Sequence, residues 1–154
     1  MTYLGLGSNQ GDRQFLLEQA IALIAVQVGS VVKCSSFIET EPWGFASDHK
    51  FLNAVVAVET TLTPHRLLDA TQRIERQLGR RHKTINGQYA DRPIDIDVLL
   101  IDDHIIRRPR LTIPHPLLLE REFVWRPLLE IAPDVIHPVF DIPVAQLVKM
   151  KKEE

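Results

Sequence analysis

The sequence predicts an α+β fold, with one antiparallel sheet that carries helices on one face and a ligand site on the other. Three observations predict it. Period-two apolar runs alternate with two stretches of helical periodicity, in the order strand-helix-strand-strand-helix-strand. The last of these strands, Ile94 to Ile101, carries Asp95 and Asp97 on a single side. A chain of 154 residues is long enough to bury one proper core, so a single domain over 1–154 is expected.

The elements follow in order. Thr2 to Leu6 is the first strand, closed by Gly7-Ser8-Asn9-Gln10-Gly11-Asp12. Gly5, Gly7 and Gly11 are expected in a tight strand-to-helix turn. Gln10 stands where the dinucleotide pattern G-x-G-x-x-G needs glycine, so that motif fails. No G-x-x-x-x-G-K-[ST] occurs either, and any use of ATP must proceed without a P-loop. Helix one places Leu17, Ala20, Ile21, Ile24 and Val28 on one face and stops at Gly29.

Val31 to Ile38 is the second strand. A long loop follows over 39–49, with two aromatics, and loops of that length in a compact domain are often functional. Phe51 to Thr61 is the third strand. Leu52, Ala54, Val56 and Val58 make its apolar face, while Phe51 and Asn53 share the other. Asparagine is depleted in strands. Asn53 therefore needs partners, which a heterocycle with amide and amino edges or the nearby loop backbone would supply.

Thr63 caps the second helix and Pro64 starts it, with Leu67, Leu68, Thr71, Ile74 and Leu78 inward. Gln72 and Glu75 flank that stripe, and Gly79 closes it. The polar segment from Arg80 to Asp91 contains the turn signal Asn86-Gly87 and delivers Arg92 to the acidic strand. Beyond that strand, Arg107-Arg108-Pro109-Arg110 leads to His115, which two prolines hold in an extended segment. Glu120 to Ile131 is helical, with Pro127 expected to kink or split it. The remainder is a covering segment that ends in a short amphipathic helix. This order of elements is the split βαβ, or ferredoxin-like, βαββαβ arrangement with a C-terminal extension.

Composition bounds the partners. Eighteen basic against 20 acidic residues give a net charge of −2, so no nucleic acid or acidic membrane is expected as a partner. The basic residues are clustered at 80–83, 107–110 and 149–152. A single cysteine, Cys34, excludes an internal disulfide and suits a reducing compartment. The most apolar stretch, Ala20 to Val28, is too short to span a bilayer. A soluble cytoplasmic protein is expected, with a monomer favoured.

The acidic strand is the chemical focus. Asp95 and Asp97 lie about 6–7 Å apart along one strand face. A bare D-x-D is as often a solvated strand face as a site. Here Arg80-Arg81-His82-Lys83 and Arg92 precede it closely. Hard oxygen ligands beside guanidinium and ammonium groups are what Mg²⁺ and a polyphosphate jointly require. Another Mg-dependent D-x-D transferase, or a non-catalytic ferredoxin-like binding module, are the competing readings. The first leaves Phe51 and Asn53 of the third strand unexplained, and the second is opposed by paired carboxylates on the open face.

Seven motifs in order resemble the 6-hydroxymethyl-7,8-dihydropterin pyrophosphokinase family of folate biosynthesis. They are Leu6-Gly7-Ser8-Asn9, Thr40-Glu41-Pro42-Trp43-Gly44, Phe51-Leu52-Asn53-Ala54, Gln72-x-x-Glu75 with Gly79-Arg80, Asp91-Arg92-x-Ile94-Asp95-Ile96-Asp97, Arg110-x-x-Ile113-Pro114-His115-Pro116, and Arg121-x-Phe123 before Pro127-Leu128. The resemblance implies transfer of pyrophosphate from ATP to the pterin's hydroxymethyl oxygen, with AMP released and two Mg²⁺ ions taking part. It implies Asp95 and Asp97 as metal ligands, and Arg80 and Arg92 beside them as catalytic phosphate clamps. Thr40, Pro42, Trp43, Gly44, Phe51, Asn53 and Phe123 would bind the pterin. Gln72, Lys83, Tyr89, Arg92, Val98, Arg110, Thr112, His115 and Arg121 would bind ATP. The chain departs from the family at Tyr89, where some relatives have Trp, at Asp91, where many have Pro, and at His82, near an ATP-contacting arginine. A monofunctional chain is expected.

Overall fold

A computed structural model describes residues 1–41, 50–79 and 93–153. The main sheet is antiparallel and runs β2 (Ser30–Cys34), β4 (Phe51–Glu59), β1 (Thr2–Ser8), β5 (Asp95–Ile101), with β3 (Ile38–Thr40) also paired to β4. Helices α1 (Arg13–Gln27) and α2 (Pro64–Gln77) cover one face. Each is capped at its start, the second by the residue the sequence indicates. The Asp12 carboxylate accepts from the Phe15 N–H at 3.1 Å, and the Thr63 hydroxyl accepts from Arg66 with Pro64 as the first helical residue. Such caps satisfy amide donors that the first helical turn cannot pair.

Leu52, Ala54, Val56 and Val58 of β4 meet Leu17, Ala20, Ile24, Leu67 and Ile74 in the core under these helices. Ile94, just before β5, and Ile96 and Val98 within it join them. That places the carboxylates between them on the opposite face.

The opposite face is only partly open. Helix α3 (Glu122–Ile131) packs over its far half, where Val124, Leu128 and Ile131 bury Val55, Ala57, Leu99 and Leu100. The chain reaches α3 through the short hairpin of β6 (Ile106–Arg107) and β7 (Thr112–Ile113). It ends with the hairpin of β8 (Ile136–His137) and β9 (Ile142–Pro143), followed by α4 (Val144–Lys152).

Two expectations change. The strand predicted over 31–38 is two strands, because Ser35 replaces ladder geometry with its side chain. Its hydroxyl accepts from the Val55 N–H at 2.8 Å while its own N–H donates to the Val55 carbonyl. Helix α3 continues through Pro127 as one element; the proline lies buried against the sheet and removes one helical donor without dividing the helix.

Gly29 ends α1 for a reason other than left-handed backbone. A Cβ there would sit 2.0 Å from the Glu59 carbonyl oxygen and 3.0 Å from Thr60 Cα. Both neighbours are backbone, so neither can swing aside. Gly29→Ala is expected to lower stability by about 2–3 kcal/mol or more, the upper range for overpacking. Chemical denaturation of the two proteins checks it, and an unchanged midpoint would contradict the close approach.

Candidate active site

Three neighbouring strands build the site, and their register decides which residues face each other. Strand β1 lies between β4 and β5. Gly7 is opposite Asn53 on one side and Asp95 on the other, and Gly5 is opposite Val55 and Asp97. Alternate residues share a face, so Asn53-Gly7-Asp95 and Val55-Gly5-Asp97 form two rows across the sheet. The middle position of each row has no side chain. The sheet therefore carries a trough, walled by Asp95 and Asp97 along β5 and by Phe51, Asn53 and Val55 along β4. Thr40, Glu41, Arg121 and Phe123 complete the walls.

The two glycines overturn an expectation. Gly5 and Gly7 belong to the strand and floor the trough; among the three, Gly11 alone has the positive φ, +67°, of a turn. A Cβ on Gly7 would come within 2.9 Å of Asn53 Oδ1. A glycine inside a strand often marks such close approach, and the i, i+2 spacing flanked by Leu4, Leu6 and Ser8 was the available signal.

Arg121 is the second residue whose environment the sequence does not reveal. Its side chain is 2% exposed, and Nη1 lies 3.8 Å from Oδ2 of Asp97, whose own side chain is 24% exposed. The guanidinium carbon also lies 5.8 Å from the centroid of the Phe123 ring, within cation–π range. Burial pushes the Arg121 pKa down to about 10, which leaves it charged at neutral pH. The site thus holds two carboxylates and a desolvated cation against an aromatic wall.

On the other wall, Asn53 Nδ2 donates to the Thr40 hydroxyl at 2.7 Å. This bond fixes the amide's orientation and turns Oδ1 toward the glycine floor. Phe51 is buried on the same strand face.

Apart from Arg121, the described residues expected to meet a nucleotide do not line the trough. Arg110 pairs with Asp69 at 3.0 Å and reaches Gln72 at 3.4 Å, which joins the β6–β7 hairpin to α2. Thr112 is exposed on β7. His115 donates its backbone N–H to the Leu99 carbonyl and accepts at Nδ1 from Leu117. Val98 is in the core beneath α1 and α2, so its side chain is not presented to a nucleotide and any contact must use its backbone. Pro42, Trp43, Gly44, Arg80, His82, Lys83, Tyr89, Asp91 and Arg92 lie outside the described residues.

Among the described residues no three His, Cys, Asp or Glu side chains gather as a metal cage. That fits Mg²⁺ held by two carboxylates with substrate phosphates, the usual arrangement for this ion. Among the described residues no helix is long and apolar enough to cross a membrane.

The chain is similar to known proteins of one family. A family model described as 7,8-dihydro-6-hydroxymethylpterin-pyrophosphokinase (HPPK) matches residues 3–133. The 2-amino-4-hydroxy-6-hydroxymethyldihydropteridine pyrophosphokinase of Porphyromonas gingivalis is 49% identical over 144 residues, covering 93% of this chain and 97% of that protein. The protein of the same name from Aquifex aeolicus is 40% identical, covering 94% of this chain and 88% of its own. A crystal structure of wild-type Plasmodium falciparum HPPK-DHPS superposes with a TM-score of 0.79 at 16% identity, over 97% of this chain but 44% of the other. At that identity the superposition speaks for the fold alone.

Fold, cleft and relatives together define a transferase of the diphosphokinase class. Within it, the chain belongs to the 7,8-dihydro-6-hydroxymethylpterin-pyrophosphokinase family.

The buried guanidinium carries a consequence for stability. Arg121 lies against Asp97, and removing one partner of a desolvated pair leaves the other charge uncompensated. Arg121→Met is expected to lower the melting temperature by several degrees, at about 2–4 °C per kcal/mol for a domain of this size. An unchanged or higher melting temperature would show that the guanidinium's desolvation outweighs its contacts.

Proposed function

We propose that this protein transfers pyrophosphate from ATP to the hydroxymethyl group of 6-hydroxymethyl-7,8-dihydropterin, releasing AMP, in a Mg²⁺-dependent step of folate biosynthesis. The observation that carries this reading is the pair of cross-strand rows, which sets Asn53 and Asp95 on opposite sides of a side-chain-free floor. A flat heterocycle held on the Asn53 side would extend its substituent toward the carboxylates.

Each wall has its own task. Phe51 and Phe123 offer ring faces for stacking on the pterin. The Asn53 amide, oriented by Thr40, reads the polar edge, with Pro42, Trp43 and Gly44 adding backbone contacts. Such edge recognition discriminates strongly, since an analogue without the edge leaves buried groups unpaired. Asp95 and Asp97 are the residues that would hold two Mg²⁺ ions. Bound there, the metal neutralises charge on the triphosphate and on the attacking oxygen.

Arg121 places a positive charge beside Asp97 and orients a phosphate group by charge-assisted hydrogen bonding. Arg80, Lys83 and Arg92 serve as phosphate clamps in the same reading. Gln72, Tyr89, Arg110, Thr112, His115 and the Val98 backbone bind the nucleotide along the rim. The fold is read as ferredoxin-like, supported by the strand order β2-β4-β1-β5, with the segment after β5 as its C-terminal extension in a single domain.

Incubation with ATP, Mg²⁺ and the hydroxymethyl pterin should yield AMP and the pterin diphosphate; ADP as the product would overturn the reading. Asp97→Asn should fold normally and lose at least about a hundredfold in turnover, a typical cost for removing one preorganised electrostatic group. Phe123→Ala should weaken pterin binding about tenfold, in line with stacking worth 1–3 kcal/mol per ring, and leave ATP binding nearly intact. Equal losses for both ligands in separate titrations would instead make Phe123 a core residue.

A further inference from the structure

Glu75 is a carboxylate on the helical face of the sheet, buried to 2% exposure among Leu67, Leu68 and Ile74. Helical periodicity alone puts it at the margin of the α2 stripe, beside solvent. Its Oε2 accepts from the backbone N–H of Ile96 at 2.8 Å. Ile96 is the residue between Asp95 and Asp97. Strand β5 is the last in the sheet order, so its outer edge meets α2 rather than a further strand among the described residues. An edge amide in that position is commonly left to water.

A neutral group or a water molecule would satisfy that amide at less desolvation cost than a buried carboxylate. What a side chain of this length adds over water is a bond anchored in α2, at the single peptide flanked by both site acids. A strand held at that peptide cannot rotate about its axis without breaking the bond. Rotation is the motion that would swing Asp95 and Asp97 off the trough, since both project from the same face.

We propose that Glu75 is a positioning residue for the Asp95–Asp97 pair, fixing from behind the sheet the angle at which both carboxylates enter the cleft. The inference rests on the reading of those acids as the Mg²⁺ ligands. Reach, rather than charge, is the property that matters: the side chain must extend from α2 to the Ile96 amide. Gln72, on the same helix, joins Arg110 on the rim, so α2 carries both a nucleotide-side contact and the tie to the acidic strand.

Three variants and two measurements test this. Glu75→Gln keeps the reach and loses the charge, Glu75→Asp keeps the charge and loses the reach, and Asp97→Asn removes a ligand directly. Amide exchange at Ile96 is followed by NMR in ligand-free protein. Binding of Mn²⁺ in the presence of a non-hydrolysable ATP analogue is followed by electron paramagnetic resonance. Glu75→Asp should speed Ile96 exchange and weaken Mn²⁺ binding, each about tenfold, while pterin binding at the opposite wall is unchanged. Glu75→Gln should stay within about threefold of the parent in both. The reverse order, Gln worse than Asp, would make charge the relevant property and overturn the inference. So would a folded Glu75→Asp with parental Mn²⁺ affinity. If Asp97→Asn itself binds Mn²⁺ as the parent does, the metal reading falls first and this inference with it. If Asp97→Asn loses the metal and Glu75→Asp does not, this inference falls alone.

Discussion

The register of β4, β1 and β5 is the constraint on which the rest depends. Side chains alternate with a period of two, so a slip of one residue moves a whole strand's set to the other face. Here a slip of β5 would send Asp95 and Asp97 into the packing of α1 and α2, and Ile94, Ile96 and Val98 into the cleft. The apolar core therefore enforces the position of the acids: a register that buries Ile96 presents Asp95 and Asp97. Core and site are specified by the same alternation, read from opposite faces of one strand.

The two faces also divide the stabilising work unevenly. Beneath α1 and α2 the packing is aliphatic over the length of the sheet. Over the other face, α3 covers Val55, Ala57, Leu99 and Leu100 and stops where the trough begins. Arg121 stands at that boundary, as the N-cap residue of α3. A guanidinium buried there alone would be costly; its place beside Asp97 offsets that cost and supplies a positive field to the cleft.

Much of this was legible in the sequence, for physical reasons. The carboxylate pair was visible because alternation in a strand is a strong signal, and Asn53 because a polar residue amid aliphatics demands an explanation. The start of the second helix at Thr63 was visible because capping is local chemistry. What stayed hidden depends on neighbours remote in sequence. Gly5 and Gly7 read as turn residues, since a glycine's role is set by what approaches it and Asn53 lies far along the chain. Glu75 read as marginal because helical periodicity cannot tell which part of a helix overhangs the end of a sheet. The division of the second strand at Ser35 turns on a hydroxyl replacing a ladder partner, which composition does not disclose. The cover supplied by α3 was missed although Val55 and Ala57 alternate with the buried positions of β4; that face was read as open because Phe51 and Asn53 lie on it.

Among the described residues the sheet has two outer edges, and they end differently. The β5 edge is closed from behind by α2. On the other edge, β2 has exposed residues along most of its length, a register shift between Val31 and Lys33, and a lysine whose ammonium reaches the Ile131 carbonyl at 3.4 Å. An exposed strand is a template on which another chain can polymerise, and bulges and lysines are what spoil the template. A bent strand with a lysine folded across toward α3 offers an incoming strand few consecutive amides in line. The small irregularity at Val31 and Lys33 thus bears on how concentrated the protein can become before its sheets begin to grow into one another.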